Sequence, residues 1–221
     1  MRGKSNIAAK GGYHHGDLGA ALVAAVRRLI ERDGPSNFSI SEACKMAGVS
    51  TAAPYRHFAD KQDILYHVAQ AGFVDMTAMM VHARDAEPAD SSQVRRIARM
   101  GKAYLRFAFN NPGTFRLMFG SSPNVKENKN VHETGHTCFG TLINEVGRYM
   151  GPKTEEVEIK RVAVRLWTFV HGAASLAIDK DYDAAEIDVN VEGMIDEATA
   201  MLLGNAAGPS GSAGIHSGND V

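Results

Sequence analysis

The chain has 221 residues, 44% of them apolar and 22% charged, with 24 Lys and Arg against 25 Asp and Glu. That allows one or two globular units, and with no apolar run of the roughly 18 residues a membrane span needs and no signal-peptide core, a soluble cytoplasmic protein without a membrane partner is expected. The charge is uneven, because residues 1–61 hold nine Lys and Arg against five Asp and Glu, while the rest holds fifteen against twenty; a basic N-terminal module suited to a polyanion precedes an acidic remainder.

Strand signals are almost absent and apolar residues recur every three or four positions, so the chain reads as all-α, with about nine helices. Leu18, Leu22, Val26 and Leu29 or Ile30 stripe a first helix from about His15 to Asp33, which Gly34-Pro35 ends. Ser39-Ile40-Ser41-Glu42 is a capping box opening a two-turn helix. That helix ends at Gly48, where positive φ reverses the chain and Val49 turns inward. Ser50 then caps a third helix. A long helix follows over 61–85, until Pro88 forbids continuation. Further helices are predicted over about 91–110, 112–120, 126–150, 155–178 and 187–203. The tail after Gly204 has little to bury and is expected to be disordered.

Cys44 and Cys138 are too few and too far apart for a disulfide scaffold and stand in no metal-ligand spacing, so both read as buried reduced thiols. His14-His15 and the i, i+4 pair His132 and His136 are the best candidates for a metal-dependent enzyme. The second pair lacks a neighbouring acid of the HExxH kind and a third ligand, and a solvated helix face is expected there. No catalytic residue, metal or cofactor is expected.

Residues 39–58, SISEACKMAGVSTAAPYRHF, place two short helices on either side of a Gly-containing turn, flanked by basic residues. This is a helix-turn-helix, in which the first helix braces a second whose exposed face can enter the major groove. A protein-interaction module built on the same motif is the alternative, but Tyr55, Arg56, His57 and Lys61 cluster on one stretch, which a protein-binding surface does not need.

The segment GVSTAAPYRHFADKQDIL, residues 48–65, resembles the signature of TetR-family transcriptional regulators, with Gly-Val-Ser, Tyr-x-His-Phe and a following Lys in that order. The resemblance is strong over residues 13–66. It continues through YHHGDL, YLRFAFNNPGTFRLMFG at 104–120 and Trp167-Thr-Phe-Val-His171-Gly172, similar to the subfamily with a Trp-His-Gly type ligand domain. It implies a basic arm over 1–12, a three-helix DNA-binding domain over 13–66 and a larger helical ligand-binding and dimerisation domain over 67–204, with the disordered tail at 205–221.

The resemblance also implies roles for residues. Ser39, Tyr55, His57 and Lys61 fall on phosphates, Lys61 at a helix N-terminus whose free amides favour an anion. Thr51, Ala52 and Pro54 fall near bases, where one hydroxyl and several methyl surfaces can meet thymine methyls, and Ser50 at the cap is a further DNA-binding candidate. Many relatives have an aliphatic residue in place of Pro54, which removes the first intrahelical bond and is expected to delay the recognition helix by a residue. The arm carries Arg2, Lys4 and Lys10 and can follow a phosphate backbone.

In the acidic remainder, Phe107, Phe115, Met118, Phe119, Phe139, Trp167 and His171 gather with Tyr104 and Cys138 into a pocket suited to a small apolar effector, with Trp167 N–H and His171 as orienting groups. Ala173, Ala174, Ala177, Met194, Ala198 and Met201 on the last two helices suit a homodimer interface, which the resemblance also implies. The expected function is a transcriptional repressor that leaves a palindromic operator in double-stranded DNA when the effector binds.

Overall fold

The computed structural model describes residues 18–120, 125 and 127–206. The arm with Arg2, Lys4 and Lys10, the histidines His14 and His15, and the tail lie outside the described residues. Within them there is no strand. Eight α-helices run as α1 (Leu18–Asp33), α2 (Ile40–Ala47), α3 (Lys61–Asp85), α4 (Gln93–Asn110), α5 (Pro112–Phe119), α6 (Lys129–Met150), α7 (Glu156–Ile178) and α8 (Val191–Ala206), with 3-10 turns at Pro54–Arg56 and Asp181–Ala185.

Local chemistry sets most boundaries. Leu22, Val26, Leu29 and Ile30 of α1 are buried at helical spacing, and Gly34, at φ +82°, closes the helix by donating to the Ile30 carbonyl at 2.8 Å. Ser39 accepts the Glu42 amide at 3.4 Å, one half of the expected capping box; the Glu42 carboxylate pairs with Arg32 at 2.9 Å. Gly48 takes the left-handed conformation, φ 69° and ψ 31°, and Val49 N–H donates to Cys44 at 2.9 Å behind it. This is the Schellman closure that only a residue without Cβ adopts cheaply. Helix α6 starts later than predicted because Asn128 caps it, accepting the Asn130 and Val131 amides at 3.1 and 3.2 Å. Helix α8 is shifted to 191–206, capped by the Asn190 side chain on Gly193 N–H at 2.9 Å.

Helix α3 is the spine, packing against α1, α4, α5 and α6. By length and composition alone its 25 residues could cross a membrane, although no apolar run of that length was expected. Its apolar side belongs to the core instead, with Ile64, Leu65, Val68, Phe73, Met76 and Met80 buried. One continuous core runs from Leu22 through Val68 and Phe115 to Ile195, and a smaller one joins α4, α6, α7 and α8 around Ile97, Val146, Val162 and Leu203. At the far end of α3 the buried Glu145 carboxylate accepts from Gln93 at 2.8 Å and Arg148 at 2.9 Å and faces Arg84 at 3.3 Å. Three helices are thereby tied around one charge that would be costly to bury alone.

Gly72 is where α3 and α5 touch. A Cβ there would lie 2.5 Å from Met118 Sδ and 2.8 Å from Thr114 Cγ2. Gly72→Ala is therefore expected to destabilise by about 1–2 kcal/mol in urea unfolding, the overpacking outweighing the gain of about 1 kcal/mol in helix propensity. An unchanged midpoint would show that α5 moves aside freely.

Candidate nucleic-acid interface and apolar cavity

The helix-turn-helix is formed, but its second element is not an α-helix. Ser50 accepts from Ala53 N–H at 3.0 Å, and a three-residue 3-10 turn, Pro54–Arg56, follows before His57 and Phe58 amides both close on the Pro54 carbonyl at 2.9 Å. The predicted third helix over 50–58 thus shrinks to a turn. Pro54 supplies no N–H to start an α-helical ladder, and the Asp60 cap restarts the chain six residues later.

This geometry sorts the expected contact residues. Ser39, Ser50, Thr51, Ala52, Tyr55, His57 and Lys61 are exposed. Tyr55 is 64% exposed, a large aromatic with no packing reason to face water. Arg56 is exposed beside it. Pro54 corrects the expectation, because it is buried on the inner side of the turn, and its ring cannot meet a base from there. Phe58 is its buried neighbour, edge-on to His67 at 5.1 Å between ring centres.

The N-terminus of α3 also differs from expectation. One of its first amides is already taken, since Asp60 accepts Asp63 N–H at 2.8 Å, while Asp63 accepts Ala59 N–H just before the helix at 2.9 Å. This reciprocal cap was readable as Asp60-x-x-Asp63 and places two carboxylates beside the site. Lys61 Nζ leans over the Phe38 ring at 4.3 Å and toward the Ser36 carbonyl at 3.4 Å, so it must swing outward to reach a phosphate.

The second feature is a cavity of about 560 Å³ between α3, α4, α5, α6, α7 and α8. Met118, Phe119, Phe139, Trp167 and His171 line it, as expected. Phe107 and Phe115 do not. Phe107 is fully buried under the Arg27 guanidinium, 5.8 Å from its ring centre, and Phe115 stands behind the wall, stacked on His171 at 5.4 Å. Both have the composition of pocket residues but point from their helices into the packed core.

Much of the lining was missed. Tyr104 and Cys138 line it as expected, but Phe73, Met100, Leu166, Ile195 and Thr199 contribute as well, from helices whose relative placement no local pattern reveals. His132 and His136, expected on a solvated face, are exposed but also line the cavity.

The polar groups inside answer one another. Tyr104 Oη lies 2.7 Å from His171 Nδ1. Burial pushes the Tyr104 hydroxyl well above its usual range, against an opposing hydrogen bond from Trp167, so the tyrosine stays neutral. Burial likewise raises the Cys138 thiol, opposed by a hydrogen bond with Thr77. Both the tyrosine and the thiol are therefore uncharged at depth.

The cavity is physically linked to the helix-turn-helix. Helix α5 carries Met118 and Phe119 on the wall, and its first amides meet a carboxylate of α1. Glu31 accepts from Gly113 N–H at 2.7 Å, Thr114 N–H at 2.9 Å and Thr114 Oγ at 2.5 Å. One turn earlier, Arg27 pairs with Asp75 of α3 and donates to Asn111 Oδ1 at 2.9 Å. The approach is so close that a Cβ on Gly113 would lie 2.5 Å from the Ile30 carbonyl oxygen.

The exposed surface of α7 and α8 corrects the expected dimer residues. Ala173 and Ala174 are buried within the subunit and Ala198 lines the cavity. Ala177 and Met194 are half-buried, Met201 is exposed as expected, and the other large apolar groups left outward are Val157, Val164 and Leu176 on α7.

Residues 22–68 match the model of the bacterial regulatory proteins of the tetR family, and residues 97–202 match that of the tetracyclin repressor-like C-terminal domain. The nucleoid occlusion factor SlmA of Vibrio vulnificus is 25% identical over 167 residues, covering 73% of this chain and 83% of that protein. Among solved structures, a protein of unknown function from Rhodococcus sp. RHA1 superposes with a TM-score of 0.74 at 29% identity, over 90% of this chain and all of that one. A tetR-family transcriptional regulator from Streptomyces coelicolor does so at 0.69 and 16% identity, over 87% of this chain and 82% of that one, a likeness of fold. With both parts of the chain matched, over well more than half its length, the protein belongs to the TetR family and is a DNA-binding transcriptional regulator.

Proposed function

We propose that the protein is a homodimeric repressor that leaves a palindromic operator when a small apolar molecule enters the cavity. The observation that carries this reading is the Glu31 link: a carboxylate of α1 holds the N-terminus of a helix whose other end lines the cavity. A ligand that fits only one position of α5 would bias the position of α1, and with it the recognition turn.

Ser50, Thr51 and Ala52 are assigned to bases, and Ser39, Tyr55, His57 and Lys61 to phosphates. Val157, Val164, Leu176 and Met201 are assigned to the two-fold interface, where isologous packing would cover their exposed apolar groups. Such a dimer presents two recognition turns to half-sites about one turn, roughly 34 Å, apart.

The test is fluorescence anisotropy on DNA fragments flanking the protein's own gene, over a salt series, beside a Tyr55→Phe/Lys61→Ala double variant. Saturable binding to one palindromic fragment is expected. The slope of log K against log salt should be shallower in the variant by about 1 for each lysine removed from a phosphate. An equal slope would remove Lys61 from the interface, and no binding at low salt would end the assignment of these residues. A reporter that falls rather than rises on deletion of the protein would make it an activator.

A further inference from the structure

His132 and His136 stand one turn apart on α6 at the mouth of the cavity, their ring centres 4.3 Å apart. Their Nε2 atoms lie 3.2 Å from each other, within hydrogen-bond reach. One ring can donate there and the other accept. An anionic oxygen bridging the two Nε2 atoms from the cavity side would replace that neutral contact and accept from both rings, and hydrogen bonds to a charged acceptor are the stronger kind.

The rest of the cavity gives a polar head no better place. Tyr104, Trp167 and His171 are engaged with one another at depth, and a polar group buried there would have to break a satisfied network. The remaining wall is mostly apolar, with Met100, Leu142, Leu166 and Ile195, and its Thr199 and Cys138 are neutral groups that carry no charge to hold an anionic head. A cation suits the pair less well, since among the described residues no third His, Cys, Asp or Glu joins it to complete a metal site.

We propose that His132 and His136 are a head-group subsite, and that the effector is an amphipathic carboxylate whose apolar body fills the cavity while its carboxylate sits between the two imidazoles. This rests on the reading of the cavity as the effector site.

Trp167 is the single tryptophan of the chain and lines the cavity, so its fluorescence reports occupancy. The full-length protein would be titrated with alkyl carboxylates of graded chain length, their methyl esters and the matching alkylamines, in the wild type and in a His132→Ala/His136→Ala variant. In the wild type the acid is expected to bind roughly 10-fold more tightly than its ester, and the amine no better than the ester. In the variant the acid should fall to the level of the ester, whose own affinity is unchanged and so shows that the cavity remains folded. Equal binding of acid and ester by the wild type, tighter binding of the amine, a preference for the acid that survives in the variant, or loss of the ester there, would each overturn the subsite. If neither acid nor ester at any chain length perturbs Trp167 in the wild type, the effector-cavity reading fails, and the subsite with it.

Discussion

Glu31→Ala is expected to lower the thermal midpoint by about 6–12 °C and to abolish the effect of any effector on DNA affinity. The carboxylate accepts two amide protons and one hydroxyl proton at the N-terminus of α5, and Thr114 is fully buried. Those amides belong to the first turn, where no partner exists within the helix. Removing the acceptor strands buried donors at a cost of about 3 kcal/mol, and for a chain of this size each kcal/mol moves the midpoint by about 2–4 °C. The favourable meeting of a carboxylate with the positive end of a helix is lost as well. The functional part follows from geometry, since Glu31 is the polar join between α1 and the cavity wall. Without it an effector could still bind, but a coupling of about 1–3 kcal/mol, or 5- to 150-fold in DNA affinity, would lose its most direct route. Calorimetry and anisotropy with and without ligand check the two halves separately. A variant that melts lower but still releases DNA normally would leave the join structural and move the coupling elsewhere, Arg27 with Asp75 and Asn111 being next in line.

Ala198→Phe is expected to give a protein that binds DNA as well as the wild type but takes up cavity ligands about 100-fold more weakly. Ala198 lines the cavity from α8 and is only partly covered, so the added ring can enter open space rather than close-packed core. Filling space that a ligand needs costs affinity steeply, about 1.4 kcal/mol for each tenfold, while leaving the surface around Tyr55 untouched. Trp167 fluorescence and operator anisotropy on the same preparation decide it. Unchanged ligand affinity would place the effector outside the cavity, and a parallel loss of DNA binding would mean that α8 itself had shifted.

The all-helical class, the long α3 and the Gly48 turn were legible in the residues because each is fixed locally, by apolar periodicity, by a cap or by a positive φ. The shared exposure of Tyr55, Arg56, His57 and Lys61 was legible for the same reason, since they lie on one short stretch. Even there Pro54 misled: a proline can open a helix, but three residues further on the chain had already closed into a 3-10 turn with the ring turned inward. The Asp60 and Asp63 cap was present in the sequence and carried a physical signal.

Composition alone marked the C-terminal aromatics as a pocket, and this held for Phe119, Phe139 and Trp167 but not for Phe107 and Phe115. Helical periodicity says which residues share a face; it does not say whether that face meets another helix or a void. That choice depends on how α3 to α8 are set against one another, a matter of long-range packing. The same holds for the Glu31 join, between residues more than eighty positions apart, and for the alanines of α7 that turned out to be buried. The sequence by itself determined the all-helical class, the bounds of the long α3 and the turn at Gly48, because those follow from contacts within a few residues. Only the tertiary structure decided where the cavity lies, that His132 and His136 open onto it, and that α1 is held to its wall, because each requires groups distant in the chain to arrive at one point.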